Sequence, residues 1–189
     1  MQRVVITGYG IYSCIGKNLD EVTDSLYHGK SGIIYDAIRK EFGYRSALTG
    51  YLEPPQLKSM LDRRARLMLP EQGEYAYLST IEALKNAQLS QEYIDEHEVG
   101  IIFGNDSSAK PIIEATDIIR EKKNTMFAGS GSVFQSLNST ITMNLATIFR
   151  LKGINFTVSA ACASGSQAIG LGYQYIRTGL QDCIICGGA

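Results

Sequence analysis

The stretch INFTVSAACASGSQAIGLG, Ile154 to Gly172, decides how the rest of the chain is read. It opens on Ile154-Asn155-Phe156-Thr157-Val158, a run whose alternation predicts a strand with one buried face. The small residues Ser159-Ala160-Ala161 then lead to Cys162. From Cys162 to Thr178 the apolar positions Ala163, Ile169, Leu171, Tyr173 and Ile176 suit a packed helix, and Gly179 supplies its stop. Cys162 is therefore predicted where a strand turns sharply into a helix. Such a nucleophile elbow needs small neighbours, because the backbone crowds itself at the turn. At the first turn of a helix, unpaired N–H groups and the positive end of the helix dipole suit an anionic sulfur. The same N–H groups can hold an oxyanion when sulfur attacks a carbonyl. Read locally, Cys162 is either that nucleophile or a small buried apolar residue, the commonest state of a free cysteine.

Upstream, Val133 to Arg150 carries Val133, Phe134, Leu137, Ile141, Leu145 and Ile148 on a wide apolar face and predicts a core helix. The Ala128-Gly129-Ser130-Gly131 break precedes it. Pro111 to Glu121 is predicted helical and runs into Arg120-Glu121-Lys122-Lys123. Val99 to Phe103 is a second clear strand, followed by the loop GNDSSAKP (104–111). Open α/β sheets place ligands at such loops, beyond the carboxyl ends of strands. Glu71 to Leu89 predicts a helix with Tyr75, Leu78, Ile81, Ala83, Leu84 and Ala87 on its apolar face. Before it, Asp62-Arg63-Arg64-Ala65-Arg66 is a compact basic cluster. Each basic cluster is either a solvated, ion-paired face or a docking surface for an acidic partner. Lys30 to Pro55 reads as irregular. Asn18 with Glu21 predicts a capping box, Val22, Leu26 and Tyr27 an inner helix face, and Gly29 its stop. Arg3 to Thr7 predicts a short buried strand, and Gly8-Tyr9-Gly10 turns out of it.

Downstream, Cys183-Ile184-Ile185-Cys186 has redox or metal spacing. Residues three apart on a strand point to opposite faces, so both are expected in the core with Cys14. His28, before the helix-stopping Gly29, is expected at a negative helix end. His97 sits among Glu92, Asp95, Glu96 and Glu98. Neither of these two histidines is set to serve Cys162.

The 189 residues suit one domain with a sizeable core. A net charge of −1 gives no general argument for nucleic acid or a membrane surface as partner. The opening MQRVVITGYG reads as a strand rather than a signal peptide, and no apolar run is long enough to span a bilayer. Four cysteines, none in a disulfide-like or zinc-like array, suit a reducing cytosol, so a cytoplasmic protein is expected.

VSAACASGSQAIG (158–170) stands with QDCIICGGA (181–189), RVVITGYGIYSCIG (3–16), Lys30-Ser31-Gly32-Ile33 and Leu151-Lys152-Gly153. Together these resemble the β-ketoacyl-acyl-carrier-protein synthases, elongating condensing enzymes of the thiolase superfamily, especially the type I and II synthases of bacterial fatty acid synthesis. The resemblance runs from Arg3 to Ala189. It implies an α/β, thiolase-like fold: a mostly parallel mixed sheet with helices on both faces. Members are roughly twice as long and pack two similar halves into five αβαβα layers. The resemblance thus takes residues 1–189 as an N-terminal ketosynthase half, and it puts the family's two catalytic histidines in the second half.

By the same resemblance, Cys162 accepts an acyl group that condenses with malonyl-acyl carrier protein to a 3-oxoacyl thioester. The acyl groups ride on the carrier's phosphopantetheine, and no metal or redox cofactor is implied, because loss of carbon dioxide drives the bond. Acyl-pocket contacts fall to Ser107, Ala161, Val133 and Phe134, with the helix from Val133 at a homodimer interface. Ser107 stands where the family carries an apolar residue or glycine. Carrier docking falls to Arg63, Arg64, Arg66, Arg120, Lys122 and Lys123. Two other readings remain. A noncatalytic chain-length or scaffold partner of the same fold usually lacks the cysteine. A cysteine hydrolase would need a histidine partner from this chain.

Overall fold

The computed structural model describes residues 2–189. In chain order the elements are α1 (Leu19–Tyr27), β1 (Ile33–Tyr35), α2 (Ala37–Glu41), β2 (Leu48–Gly50), α3 (Arg63–Met68), α4 (Glu71–Asn86), α5 (Gln91–Glu96) and β3 (Val99–Gly104). They continue with α6 (Lys110–Lys122), α7 (Gly131–Gln135), α8 (Thr140–Phe149), β4 (Asn155–Val158), α9 (Ser164–Arg177) and β5 (Cys183–Gly188). No helix among the described residues is long and apolar enough to cross a membrane.

The centre is β3, whose six residues are all buried. It pairs in parallel with β4 on one side and β5 on the other, with Ile101 opposite Asn155 and Ile185. Burial on both faces explains why VGIIFG is continuously apolar rather than alternating. Val99, Ile101 and Phe103 point into a cluster with Tyr77 and Leu84 of α4, Ile94 of α5, and Ile141, Leu145 and Phe149 of α8. On the other face α9 packs against all three strands, burying Ala168 and setting Gly172 against Cys186. The three strands are thus sandwiched between helices. The antiparallel pair β1–β2 forms its own two-stranded sheet rather than making the central one mixed.

At α1 the cap is as expected, with Asn18 Oδ1 accepting from Glu21 N–H at 2.9 Å, but Glu21 reaches back one residue further than a capping box requires, accepting from Lys17 N–H at 2.8 Å. Several expectations need correction. Arg3 to Thr7 joins no strand ladder and is not buried, with Val5 and Ile6 exposed. Beyond it, α4 side chains capture the chain: Tyr9 N–H donates to Asn86, and Ile11 and Leu19 N–H donate to the two oxygens of Glu82. An apolar cavity of about 1040 Å³ has Val4 and Ile6 of this segment and Ile184 and Ile185 of β5 in its lining. Of the predicted inner face of α1 only Val22 is buried, while Leu26 and Tyr27 are exposed.

Within Lys30 to Pro55 the chain is more ordered than its composition suggests. It forms the hairpin and α2, which Asp36 caps through Ile38 and Arg39 N–H. The deepest stripe of α4 is Gly73, Ala76, Tyr77, Thr80 and Leu84, so of the predicted apolar face Leu84 is buried, and small or hydroxylated residues share the stripe with it. Thr80 manages this by donating its hydroxyl to Ala76 O at 2.7 Å. The single helix expected from Val133 to Arg150 is two, broken at Ser136–Ser139. Ser136 Oγ donates to Val133 O at 2.7 Å, and Asn138 O accepts from the Asn105 side chain. Local polar bonds there compete with helix continuation.

Candidate active site

The active-site candidate is assembled at the carboxyl ends of the parallel strands. Between β4 and α9 the chain makes one 3₁₀ turn, Ala161–Ala163, with exposed Cys162 at its apex. The helix proper begins two residues later than the sequence suggested, at Ser164. Ala161 takes the left-handed conformation, φ +47°, which for a residue with a Cβ costs about 1–2 kcal/mol. The surroundings hold that strain in place. Buried Ser164 accepts from Ala160 N–H at 2.8 Å and donates to Ala161 O at 2.7 Å, stapling both sides of the elbow.

Two glycines let the elbow sit on the sheet. A Cβ at Gly104, the last residue of β3, would lie 2.3 Å from the Ser164 carbonyl carbon and 2.4 Å from Gly165 N. A Cβ at Gly188 would lie 2.8 Å from Gly165 Cα. The amino end of α9 therefore rests directly on the ends of β3 and β5. A cleft of about 590 Å³ opens there, lined by Cys162, Ala161, Ser107, Asp106 and Ser166, with Ile169 as its one large apolar side chain.

The structure thus brings together Cys162, Ala161 and Ser107. It leaves Val133 and Phe134 apart, on α7 and outside this lining, with 56% and 42% of their surfaces exposed. Arg63 and Arg64 are exposed on α3, whose Asp62 cap accepts from Ala65 N–H, whereas Arg66 folds back to donate to Leu61 O at 3.2 Å. Arg120 pairs with Asp117 at 3.5 Å and Lys122 with Glu121 at 2.6 Å, while Lys123 caps α6. Short α7 packs against both α3 and α6, so the two basic helices flank it.

His28 Nδ1 lies 3.0 Å from Asp24 O at the carboxyl end of α1. His97 Nδ1 lies 2.8 Å from Tyr93 O and its ring stacks on Tyr93. Neither lines the cleft. Cys183 packs against the main core, while Cys186 meets Gly172 of α9, so the two sulfurs occupy opposite faces of β5. Burial raises both thiols, Cys186 to about 11. At pH 8 that leaves roughly one Cys186 in a thousand as thiolate. Iodoacetamide at pH 8 is accordingly expected to label Cys162 well ahead of Cys183 and Cys186, read by peptide mass mapping. Equal labelling would contradict the burial described.

Sequence reasoning missed Gly104, Gly188, Ser164, Asn105, Asp106 and Ser159. The nearest signals were the 104–111 loop, marked for ligands without a choice among its side chains, and the density of small residues around Cys162, which marks crowding without saying against what.

The family described as "Beta-ketoacyl synthase, N-terminal domain" matches residues 1–189. The chain belongs to this family. It is 36% identical over 190 residues to the 3-oxoacyl-[acyl-carrier-protein] synthase 1 of Buchnera aphidicola subsp. Schizaphis graminum, covering 100% of this chain and 47% of that protein. It is 34% identical to the enzyme of the same name from Escherichia coli, with the same coverage. Among solved structures, a β-ketoacyl synthase from Burkholderia phymatum superposes with a TM-score of 0.84 at 28% identity, over 96% of this chain and 45% of that one. The chain thus spans about half the length of the curated relatives it matches. The family and thiolase-like fold implied by the sequence motifs agree with these matches, and the exposed cysteine stands at the elbow where those motifs place it.

Proposed function

We propose that the protein carrying this chain is a 3-oxoacyl-[acyl-carrier-protein] synthase with Cys162 as its acyl-accepting nucleophile. One observation carries the reading: an exposed thiol stands at the apex of a strained elbow, on the carboxyl edge of a parallel sheet, beside a cleft. Cys162 Sγ attacks the thioester carbonyl of an acyl group on the carrier's phosphopantetheine. The S–C bond to Cys162 forms, the bond to the pantetheine sulfur breaks, and the thiol proton passes to the departing sulfur. The Cys162 N–H is one donor to the intermediate oxyanion. The malonyl thioester then loses carbon dioxide, and its α-carbon attacks the acyl-cysteine to give the 3-oxoacyl thioester and free Cys162.

Promotion of decarboxylation falls to the two histidines of the second half, since His28 and His97 are bound at helix ends. We assign this chain residues 1–189 as the amino-terminal half of that enzyme, acting in the cytoplasm as a homodimer with the acyl carrier protein as partner. The exposed apolar side chains of α7 support the dimer, and the basic residues of α3 and α6 support the carrier. The test is to incubate the full-length protein with acyl-acyl carrier protein and map the adduct. An acyl mass on Cys162, with turnover on adding malonyl carrier, is expected. Absence of both would favour the noncatalytic partner reading.

Two predictions follow from the division of labour. Reversing the charge of Arg63, Arg64 and Arg66 together is expected to lower kcat/KM for carrier-bound substrate by about tenfold at low salt. The same variant should use small thioester mimics almost normally, and the gap should close as salt screens exposed charge. Equal loss on both substrates would mean that these arginines serve structure. The 189 residues alone are expected to release no measurable carbon dioxide from malonyl thioester. Turnover comparable to the full-length protein would overturn the two-half mechanism.

A further inference from the structure

The cleft beside Cys162 carries one acidic side chain, Asp106, and the structure fixes where it stands. Asn105, only 2% exposed, donates through Nδ2 to Asn138 O at 2.8 Å and to Ser108 Oγ at 3.1 Å. Buried Ser108 also accepts from Gln72 Nε2 at 2.7 Å. Asn138 Nδ2 donates to Ser159 Oγ at 3.4 Å, and Ser159 Oγ in turn donates to Asp106 Oδ1. Since Asp106 follows Asn105 in the chain, these bonds close a ring through the β3 loop, the α7–α8 turn and the start of the elbow. An exposed loop carboxylate would otherwise swing freely; here it is tied three residues before the nucleophile. No described residue takes its second oxygen, Oδ2. Apart from Cys162 and Ile169, the lining that the described residues place around it is glycine, serine, asparagine and alanine, so Asp106 is the one charged side chain this half contributes.

We propose that Asp106 is a specificity-determining residue for acylation of Cys162: its fixed negative charge disfavours acyl groups that end in a carboxylate and admits neutral or hydrogen-bond-donating ones. The inference rests on the synthase reading for its substrate class but not for its physics, because a fixed charge acts on any reagent approaching the thiol. A carboxylate at the end of a chain being loaded onto Cys162 meets like charge in the cleft, whereas the malonyl carboxylate arrives after loading and leaves as carbon dioxide. A hydroxyl or amide N–H meets a free acceptor oxygen.

The test uses the full-length protein and two pairs of reagents matched in size. Iodoacetamide and iodoacetate alkylate Cys162 and differ in charge. Butyryl and succinyl thioesters acylate it and differ in a terminal carboxylate. Asp106→Asn keeps an acceptor for Ser159 while removing the charge. It is expected to raise the rate with iodoacetate relative to iodoacetamide by about fivefold at low ionic strength, an effect that shrinks with salt. It should raise succinyl relative to butyryl transfer by a similar factor. Ser159→Ala, at an exposed position that should not disturb folding, releases the carboxylate and is expected to fall between, whereas Ser159→Thr restores the wild-type ratio. Ratios that stay within about twofold of wild type in Asp106→Asn for both pairs would overturn the assignment, whatever the condensing activity. If Cys162 accepts neither thioester while the alkylation ratio still responds to Asp106, the synthase reading and the acyl specificity that rests on it fail, and only the charge effect of Asp106 on reagents at Cys162 stands.

Discussion

Replacing Cys162 by serine in the full-length protein is expected to lower condensation by roughly 10³-fold or more while leaving the fold intact. Cys162 is exposed, so the exchange removes little packing. Its chemical effect is large. A serine hydroxyl gives up its proton far less readily than a thiol, and neither described histidine stands by the elbow to take it. The helix amino end stabilises an anion by about 0.3–1 kcal/mol, up to about 2 when partly buried, which does not bridge that difference. Two readouts check this: acyl adduct on residue 162 by mass, and the melting temperature. Retained condensation in the serine variant would remove Cys162 from its role. A collapsed melting temperature would show instead that the sulfur holds the elbow together.

The second large effect is expected at Gly104, which no chemical reading of the sequence singles out. Gly104→Ala adds a Cβ that would lie 2.3 Å from a backbone carbon of Ser164, and backbone cannot rotate aside as a side chain tip can. Either β3 and α9 separate or the elbow shifts. Overpacking of this kind costs about 1–3 kcal/mol, and here the displaced segment carries Cys162. The variant is expected to lose stability and to lose acylation of Cys162 disproportionately, because the Ser164 staple to Ala160 and Ala161 moves with the helix. Gly170→Ala on the same helix is the control: its Cβ meets nothing within 4 Å. That exchange should be neutral or stabilise by up to about 1 kcal/mol. Equal melting temperatures and equal Cys162 labelling in the two variants would show that close contact between β3 and α9 is not needed.

Local pattern determined much of this protein. The strand–small residues–Cys162–helix order, the continuous apolar run of β3, the Asn18 cap of α1 and the opposed faces of Cys183 and Cys186 all arise within a few residues of chain. Backbone periodicity and short-range hydrogen bonding fix them. The family was legible too, because its motifs are contiguous words such as VSAACASGSQAIG. What only the tertiary structure decided involves partners far apart in sequence. Arg3 to Thr7 has the composition of a strand, but composition cannot say whether a sheet edge or the side chains of Glu82 and Asn86 will take the neighbouring N–H groups. Val133 to Arg150 has one apolar stripe, yet the turn at Ser136–Ser139 is fixed by Asn105, 33 residues from Asn138. Gly104 and Gly188 read as ordinary strand ends until α9 is laid across them. Asp106 and Ser159 lie 53 residues apart, and only the parallel alignment of β3 with β4 brings them to one rim. A side chain's periodicity is written in its neighbours, whereas the group that satisfies or excludes it is chosen by the packing of the whole chain.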